Sequence, residues 1–151
     1  MAWVPAGFRH PSRVELQDAG RHHLRPIRAD DVELDMIAVM GSRDRLFARY
    51  GEAWGWPPAA MTVEQDREDL RYHEEEMASH SSYNYALFDE DESVLLGCVY
   101  IDPADEPDVD ALVSWWVIDD RVGSELERAL DAFVPVWLRR DWPLTRIRYG
   151  V

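Results

Sequence analysis

The stretch Tyr85-Ala-Leu-Phe-Asp-Glu-Asp-Glu-Ser-Val-Leu-Leu-Gly-Cys-Val-Tyr-Ile-Asp-Pro103, continued by Ala111-Leu-Val-Ser-Trp-Trp-Val117 and a helix opening near Gly123, decides the fold. β-Branched and aromatic residues gather in three runs, 84–88, 94–101 and 111–118, which read as strands. The first two are joined at Glu90-Asp91-Glu92 and the next pair across Pro103 to Asp110. Connections this short leave no room for a crossover, so the three strands are antiparallel neighbours. Leu126, Leu130, Phe133 and Trp137 then recur at helical spacing over 124–140. Pro135 inside that helix removes a backbone donor and predicts a kink, and Arg139 and Arg140 suit the negative end of its dipole.

Upstream, 13–17 reads as a short edge strand and 23–28 as a first main strand, with Pro26 at an edge or strand end. Asp30 with Glu33 forms a helix-start pair, Val32, Met36, Val39 and Met40 follow at helical spacing, and Gly41 is the stop. Residues 42–61 read as a long connection carrying Phe47, Tyr50, Trp54 and Trp56. A second helix starts at Thr62, capped with Gln65. Its narrow apolar stripe of Val63, Leu70 and Met77 among many carboxylates places it on the surface. A last strand covers 144–149. The order is β-α-α-β-β-β-α-β, an α/β (α+β) arrangement with a mixed, mostly antiparallel twisted sheet and helices on both faces. It differs from the strict βαβ alternation of a doubly wound sheet. We expect a single domain over 1–151, with 1–22 as an N-terminal extension bearing the short edge strand.

Composition narrows the function. The 16 basic residues are all arginine, so lysine-dependent chemistry (a P-loop lysine, a Schiff base, pyridoxal phosphate) is absent. A net charge of -14 disfavours nucleic acid and anionic membranes, and it suits a cationic partner such as an amine. The lone Cys98 excludes an internal disulfide and falls in an apolar strand, where an inert buried thiol is expected. The start of the chain lacks the basic and apolar segments of a secretory signal and no run is long enough to cross a membrane, so a cytoplasmic location is expected. His22 and His23 diverge on a strand and His73 and His80 lie two helical turns apart, so no metal site is expected. The run Glu74-Glu75-Glu76 and the acidic loop from Asp102 to Asp110 read as solvated faces. No nucleophile elbow is present, which disfavours a hydrolase.

The order of elements, with Leu24-Arg-Pro-Ile-Arg-Ala-Asp-Asp-Val32 as opening strand and helix, resembles the GCN5-related N-acetyltransferases (GNAT) from about Leu24 to Tyr149. The resemblance implies that acetyl-coenzyme A lies along the strand Ser114-Trp-Trp-Val117, with Trp116, Val117 and Ile118 at its pantetheine arm. The pyrophosphate would rest at the following helix start, on Arg121, Gly123 and Ser124. The family's phosphate loop has the form Arg/Gln-x-x-Gly-x-Gly/Ala. Here only Ile118-Asp-Asp-Arg-Val-Gly-Ser-Glu125 is available, one glycine short and acidic at Asp119, Asp120 and Glu125. The family's usual base position holds Leu112, so Asp110, two residues earlier on the same face, is the candidate base. Tyr149 is the candidate acid. Tyr50, Trp54 and Trp56 fall where the family shapes its acceptor pocket, and aromatics there can hold a cation.

Two readings follow. One is an N-acetyltransferase passing an acetyl group to a small-molecule primary amine, with a backbone N–H near Val117 stabilising the oxyanion. The other is a non-catalytic GNAT-like module that uses its cleft for another ligand or a protein partner. In either case the last strand leaves an open sheet edge, and a homodimer through that edge is expected.

Overall fold

In the computed structural model, residues 2–17 and 20–151 are described. They build one six-stranded sheet in the order β1-β2-β3-β4-β5-β6: Val14–Glu15, His22–Pro26, Tyr83–Asp89, Leu95–Pro103, Ala111–Val117 and Ile147–Tyr149. All neighbours are antiparallel except β5 and β6, which run parallel. Pro26 stands at the end of β2, where a missing N–H costs no ladder bond. Gly97 is required in β4 because a Cβ there would collide with the Trp116 carbonyl on β5.

Four helices cover the two faces: α1 (Val32–Gly41), α2 (Arg43–Trp54), α3 (Val63–Ala78) and α4 (Glu125–Asp141). Side-chain alternation sorts the strands between them. Asn84, Cys98 and Tyr100 face α1 and α3, whereas Tyr85 packs on Trp137 of α4 with ring centroids 5.0 Å apart. Thr62 and Gln65 form the expected reciprocal cap on α3. α4 runs unbroken through Pro135.

Three expectations change. Residues 42–61 are not a long connection, because α2 occupies most of them. Leu46 and Tyr50, four residues apart, are its buried positions, and it stops at Gly55, whose φ of 62° suits glycine. The first helix is entered through a turn, Ala29–Asp31, in which Asp31 rather than Asp30 accepts the Arg28 N–H at 2.9 Å. α3 buries Leu70 and Met77 but leaves Val63 exposed, and it buries Asp66 as well.

Candidate functional site

Between α1, α3 and the strands β3 and β4 lies a cavity of about 320 Å³. Five carboxylates line it: Asp35 from α1, Asp66, Asp69 and Glu76 from α3, and Asp102 from the end of β4. None of the described lining residues is an arginine. Trp54 and Trp56 form an aromatic wall, with Tyr100 across from them, its ring edge-on to Trp54 at 5.2 Å. Tyr50 lies beneath, stacked on Trp54 at 4.6 Å and donating to Ser114 Oγ at 3.1 Å. Tyr50 therefore supports the wall rather than lining the cavity. Asn84 is 4% exposed, and its Oδ1, at the cavity lining, has no hydrogen-bond partner.

The charges here are uncompensated. Burial raises the Asp35 carboxyl well above its ordinary range, and a hydrogen bond with Asp66 raises it further. Burial also raises Asp66, although the bond to Asp35 pulls it down. Both carboxyls therefore hold a proton to higher pH than an exposed aspartate does. Glu76 and Asp102 are raised by burial too, despite His73 beside Glu76 and Ser82 donating to Asp102. His73 bridges the α3 acids, 3.2 Å from Glu76 and 3.9 Å from Asp69. Among the described residues no three His, Cys, Asp or Glu side chains converge as metal ligands do. The charge is spread along the walls instead.

Beside this cavity, β5 parts from β6. Their pairing ends at Val113 and Tyr149, and the Gly150 N–H closes it on the Val113 carbonyl at 2.8 Å. The Ile118 N–H bonds Leu96 of β4, so by alternation the N–H and C=O groups of Trp115 and Val117 point the other way, out of the sheet edge. Two arginines of α2 cover those carbonyls. Arg49 donates to Trp115 O at 2.6 Å, and Arg45 donates to Val117 O and, at 2.6 Å, to Asp119. A smaller cavity of about 260 Å³ at this parting is lined by Leu112, Ser114 and Gly150, and it shares Trp54 and Asp102 with the acidic one.

The turn into α4 has its own internal bonding. Gly123, at φ 77°, donates its N–H to Glu127 Oε1 at 2.8 Å, and Ser124 Oγ accepts the Glu127 N–H at 3.2 Å. Arg128 donates to the Gly123 carbonyl, and Arg121 stands exposed in the preceding turn. Trp116, 2% exposed, donates to Tyr100 Oη at 2.9 Å. Ile118 caps the strand end.

Asp110 and Tyr149 are placed apart from the acidic cavity. The Asp110 carboxylate accepts from Thr145 N, Thr145 Oγ1, Arg146 N and the Arg146 guanidinium, at 2.8 to 3.1 Å. Those donors hold its carboxyl well below the usual range and fasten the segment before β6. Tyr149 packs edge-on against Trp115, whose Nε1 donates to Asp131 of α4. It thus sits on the α4 face of the sheet.

The cavity acids were the residues that sequence reasoning missed. Their signal is the spacing of Asp66, Asp69, His73 and Glu76, which puts a polar stripe beside the buried Leu70 and Met77. Asp102 gave no separate signal within its acidic loop.

No protein-family model matches the sequence, and no curated protein does. Solved structures do match. A ribosomal-protein-S5-alanine acetyltransferase from Vibrio fischeri superposes with a TM-score of 0.66 at 18% identity, covering 90% of this chain and 73% of that one. Mycobacterium smegmatis RimJ in complex with CoA-disulfide gives a TM-score of 0.62 at 21% identity, covering 93% and 69%. FdhC, described as a nucleotide-linked sugar GNAT, gives 0.58 at 14% identity, covering 90% and 71%. The six-stranded mixed sheet and its four helices match these neighbours, and the fold of this chain is that of the GCN5-related N-acetyltransferases.

Proposed function

We propose that the protein is an N-acetyltransferase whose acceptor is a cationic amine held in the acidic cavity. The observation that carries this reading is the junction of the two cavities. Trp54 and Asp102 belong to both, so an amine lying along the carboxylates reaches the edge where β5 and β6 part. The backbone at that edge suits acetyl-coenzyme A, because the outward groups of Trp115 and Val117 lie beyond the last β5–β6 pair. Those groups would hold the pantetheine arm, with Arg45, Arg49 and Arg121 facing its phosphates. When bound, acetyl-coenzyme A supplies the acetyl group as a thioester.

The protein's own task is to present a neutral amine nitrogen at that edge. Asp102 is the group best placed to take the ammonium proton, since burial already favours its protonated form and it stands at the junction. Asp110 fits that role less well, because four donors stabilise its charge. The outward N–H groups of Trp115 and Val117 would steady the developing oxyanion. Trp54 and Trp56 hold the cation by their ring faces and keep water from the junction. Tyr149, half-exposed against Trp115, is proposed as the proton donor to the departing thiolate. Among the described residues β6 is the outermost strand, and pairing of two copies along it is part of the proposal. Thiol release from acetyl-coenzyme A with a panel of amines tests the transfer. Release that depends on the amine, and falls at least about 100-fold in Asp102→Asn, is expected; no release with any amine refutes the proposal.

A second reading is a cation-binding module without transfer. It is favoured by the engaged Gly123 N–H and by the arginines lying on the β5 carbonyls. Calorimetry with coenzyme A separates the two, because the module would give no heat.

A further inference from the structure

The acidic cavity is matched to more than one positive charge. Asp35 and Asp66 are joined by Asp69, Glu76 and Asp102, so five carboxyl groups line one cavity. Among the described lining residues none is an arginine, and His73 is the imidazole that stands against Glu76 and Asp69. A monoamine can meet only one group of these acids, and Asp35 and Asp66, the two that are buried, are the costliest to leave without a cation. The charges also differ in depth. Asp35 and Asp66 are 4% and 1% exposed, and the unpartnered Asn84 Oδ1, on the strand position opposite Tyr100, lines the same cavity. Asp102 stands at the junction with the β5–β6 edge. Asn84 Oδ1 is a second and independent mark, since a buried acceptor without a partner calls for a donor such as an ammonium. Part of the wall is aromatic and apolar: Trp54, Trp56, Leu70 and Tyr100.

We propose that this cavity binds a compact organic dication, an α,ω-diamine. One ammonium sits on Asp35, Asp66 and Asn84, the methylene chain lies along the tryptophans and Leu70, and the second amine stands at Asp102. The inference rests on the proposed transfer only for which amine reacts. The buried ammonium anchors the molecule, and the amine at Asp102 is the one presented to the acyl donor. Acetylation would form the C–N bond as the thioester C–S bond breaks; of the two protons that the ammonium gives up, one goes to Asp102 and the other restores the proton delivered to the departing thiolate, so the amide product keeps a single charge. The weaker grip on a monocation then favours its departure.

Isothermal titration calorimetry with putrescine and with butylamine, in two buffers of different ionisation enthalpy, tests the proposal. Putrescine should bind at least about ten-fold more tightly than butylamine, the worth of one further partly buried ion contact. Its heat should vary between buffers, showing protons expelled from the cavity acids on binding. In Asp35→Asn/Asp66→Asn both the preference and the buffer dependence should vanish. Should that variant fail to melt cooperatively, Asp102→Asn alone should lower the ratio of the two affinities. Equal affinity for the two amines, no binding of putrescine, or a preference that survives in the folded variants overturns the proposal. Putrescine binding with proton release but no thiol release would leave the dication site standing and refute transfer. Thiol release with a peptide N-terminus or a monoamine, without putrescine binding, would refute the dication and leave transfer standing.

Discussion

Asp31 and Asp35 are four residues apart at the start of the first helix, and both are buried. Asp31 receives the Arg25 guanidinium through two bonds of 2.7 and 2.9 Å, and Arg25 also reaches Glu92. The result is a closed ion network, finished by His23 against Glu92 at 2.6 Å and by Arg25 lying over the Phe88 ring. Its donors hold Glu92 down at about 2. Asp35 faces the other way, into a cavity whose described lining holds five acids and no arginine, and burial pushes it up. The same residue type, one turn along, serves structure in one place and, on our proposal, a ligand in the other. The difference is whether the fold supplies a counter-charge.

Breaking the paired region should have the largest effect. Arg25 has a side-chain exposure of 11%, and Arg25→Ala strands Asp31 and Glu92 beside buried His23. Denaturant unfolding should show a loss of about 3–5 kcal/mol, the cost of removing one member of a buried ion pair. Amine binding in the cavity should be unchanged in the folded fraction. A loss below 1 kcal/mol would mean that the network contributes as little as an ordinary surface pair.

The unpaired region should respond with the opposite sign. Asp66→Asn keeps the shape and removes a buried charge, so at neutral pH it should stabilise the protein by about 1 kcal/mol. The pH dependence follows from the directions of the shifts. Asp35 and Asp66 have folded values above the ordinary 3.8, so their contribution is present below that value and is lost as pH rises through the raised values. Glu92 has a folded value of about 2 against an ordinary 4.5, so its contribution is present above 4.5 and is lost as pH falls toward 2. Melting temperature against pH should therefore peak in mildly acidic buffer. The fall on the alkaline side should flatten in Asp66→Asn and persist in Arg25→Ala.

How much of this was readable in advance follows the same division. Strands, their antiparallel pairing and the family resemblance were legible because the alternation in 84–118 and the Thr62–Gln65 cap are local signals. α2 was not, because its aromatics drew attention as a loop's cargo while the four-residue step from Leu46 to Tyr50 went unused. The cavity was hidden for a deeper reason. Asp66, Asp69 and Glu76 look like any solvated helix face until the sheet is placed against them, and no local pattern tells which acids will find an arginine. Trp54 and Trp56 stand out in the sequence as aromatics of one segment, but the cavity they wall is completed only by Asp102 and Asn84 arriving from β4 and β3.

The covered edge of β5 sharpens the comparison from a third side, since there arginines meet carbonyls and only Arg45 meets an acid. Arg49 is held by the Trp115 carbonyl and Arg45 by the Val117 carbonyl and Asp119, on a partly exposed surface where an arriving anion would compete for both guanidinium groups. In Arg45→Ala/Arg49→Ala the affinity for coenzyme A should fall about five- to ten-fold, as expected for two screened contacts, and the remaining binding should depend less on salt. Tighter binding in the variant would mark the two side chains as plugs over the edge.

The smallest expected effect lies where the two cavities touch. Tyr50 Oη donates to Ser114 Oγ at 3.1 Å, both are buried, and burial raises the phenol above its usual range, so it stays neutral throughout. Tyr50→Phe keeps the ring under Trp54 and deletes one neutral hydrogen bond, a loss of about 1 kcal/mol in unfolding free energy. Because Tyr50 supports the wall and does not line the cavity, amine affinity should move less than two-fold, on the order of 0.4 kcal/mol. A larger change in affinity than in stability would mean that the phenol itself reaches the ligand, and the boundary drawn at Trp54 between support and site would have to move inward by one residue.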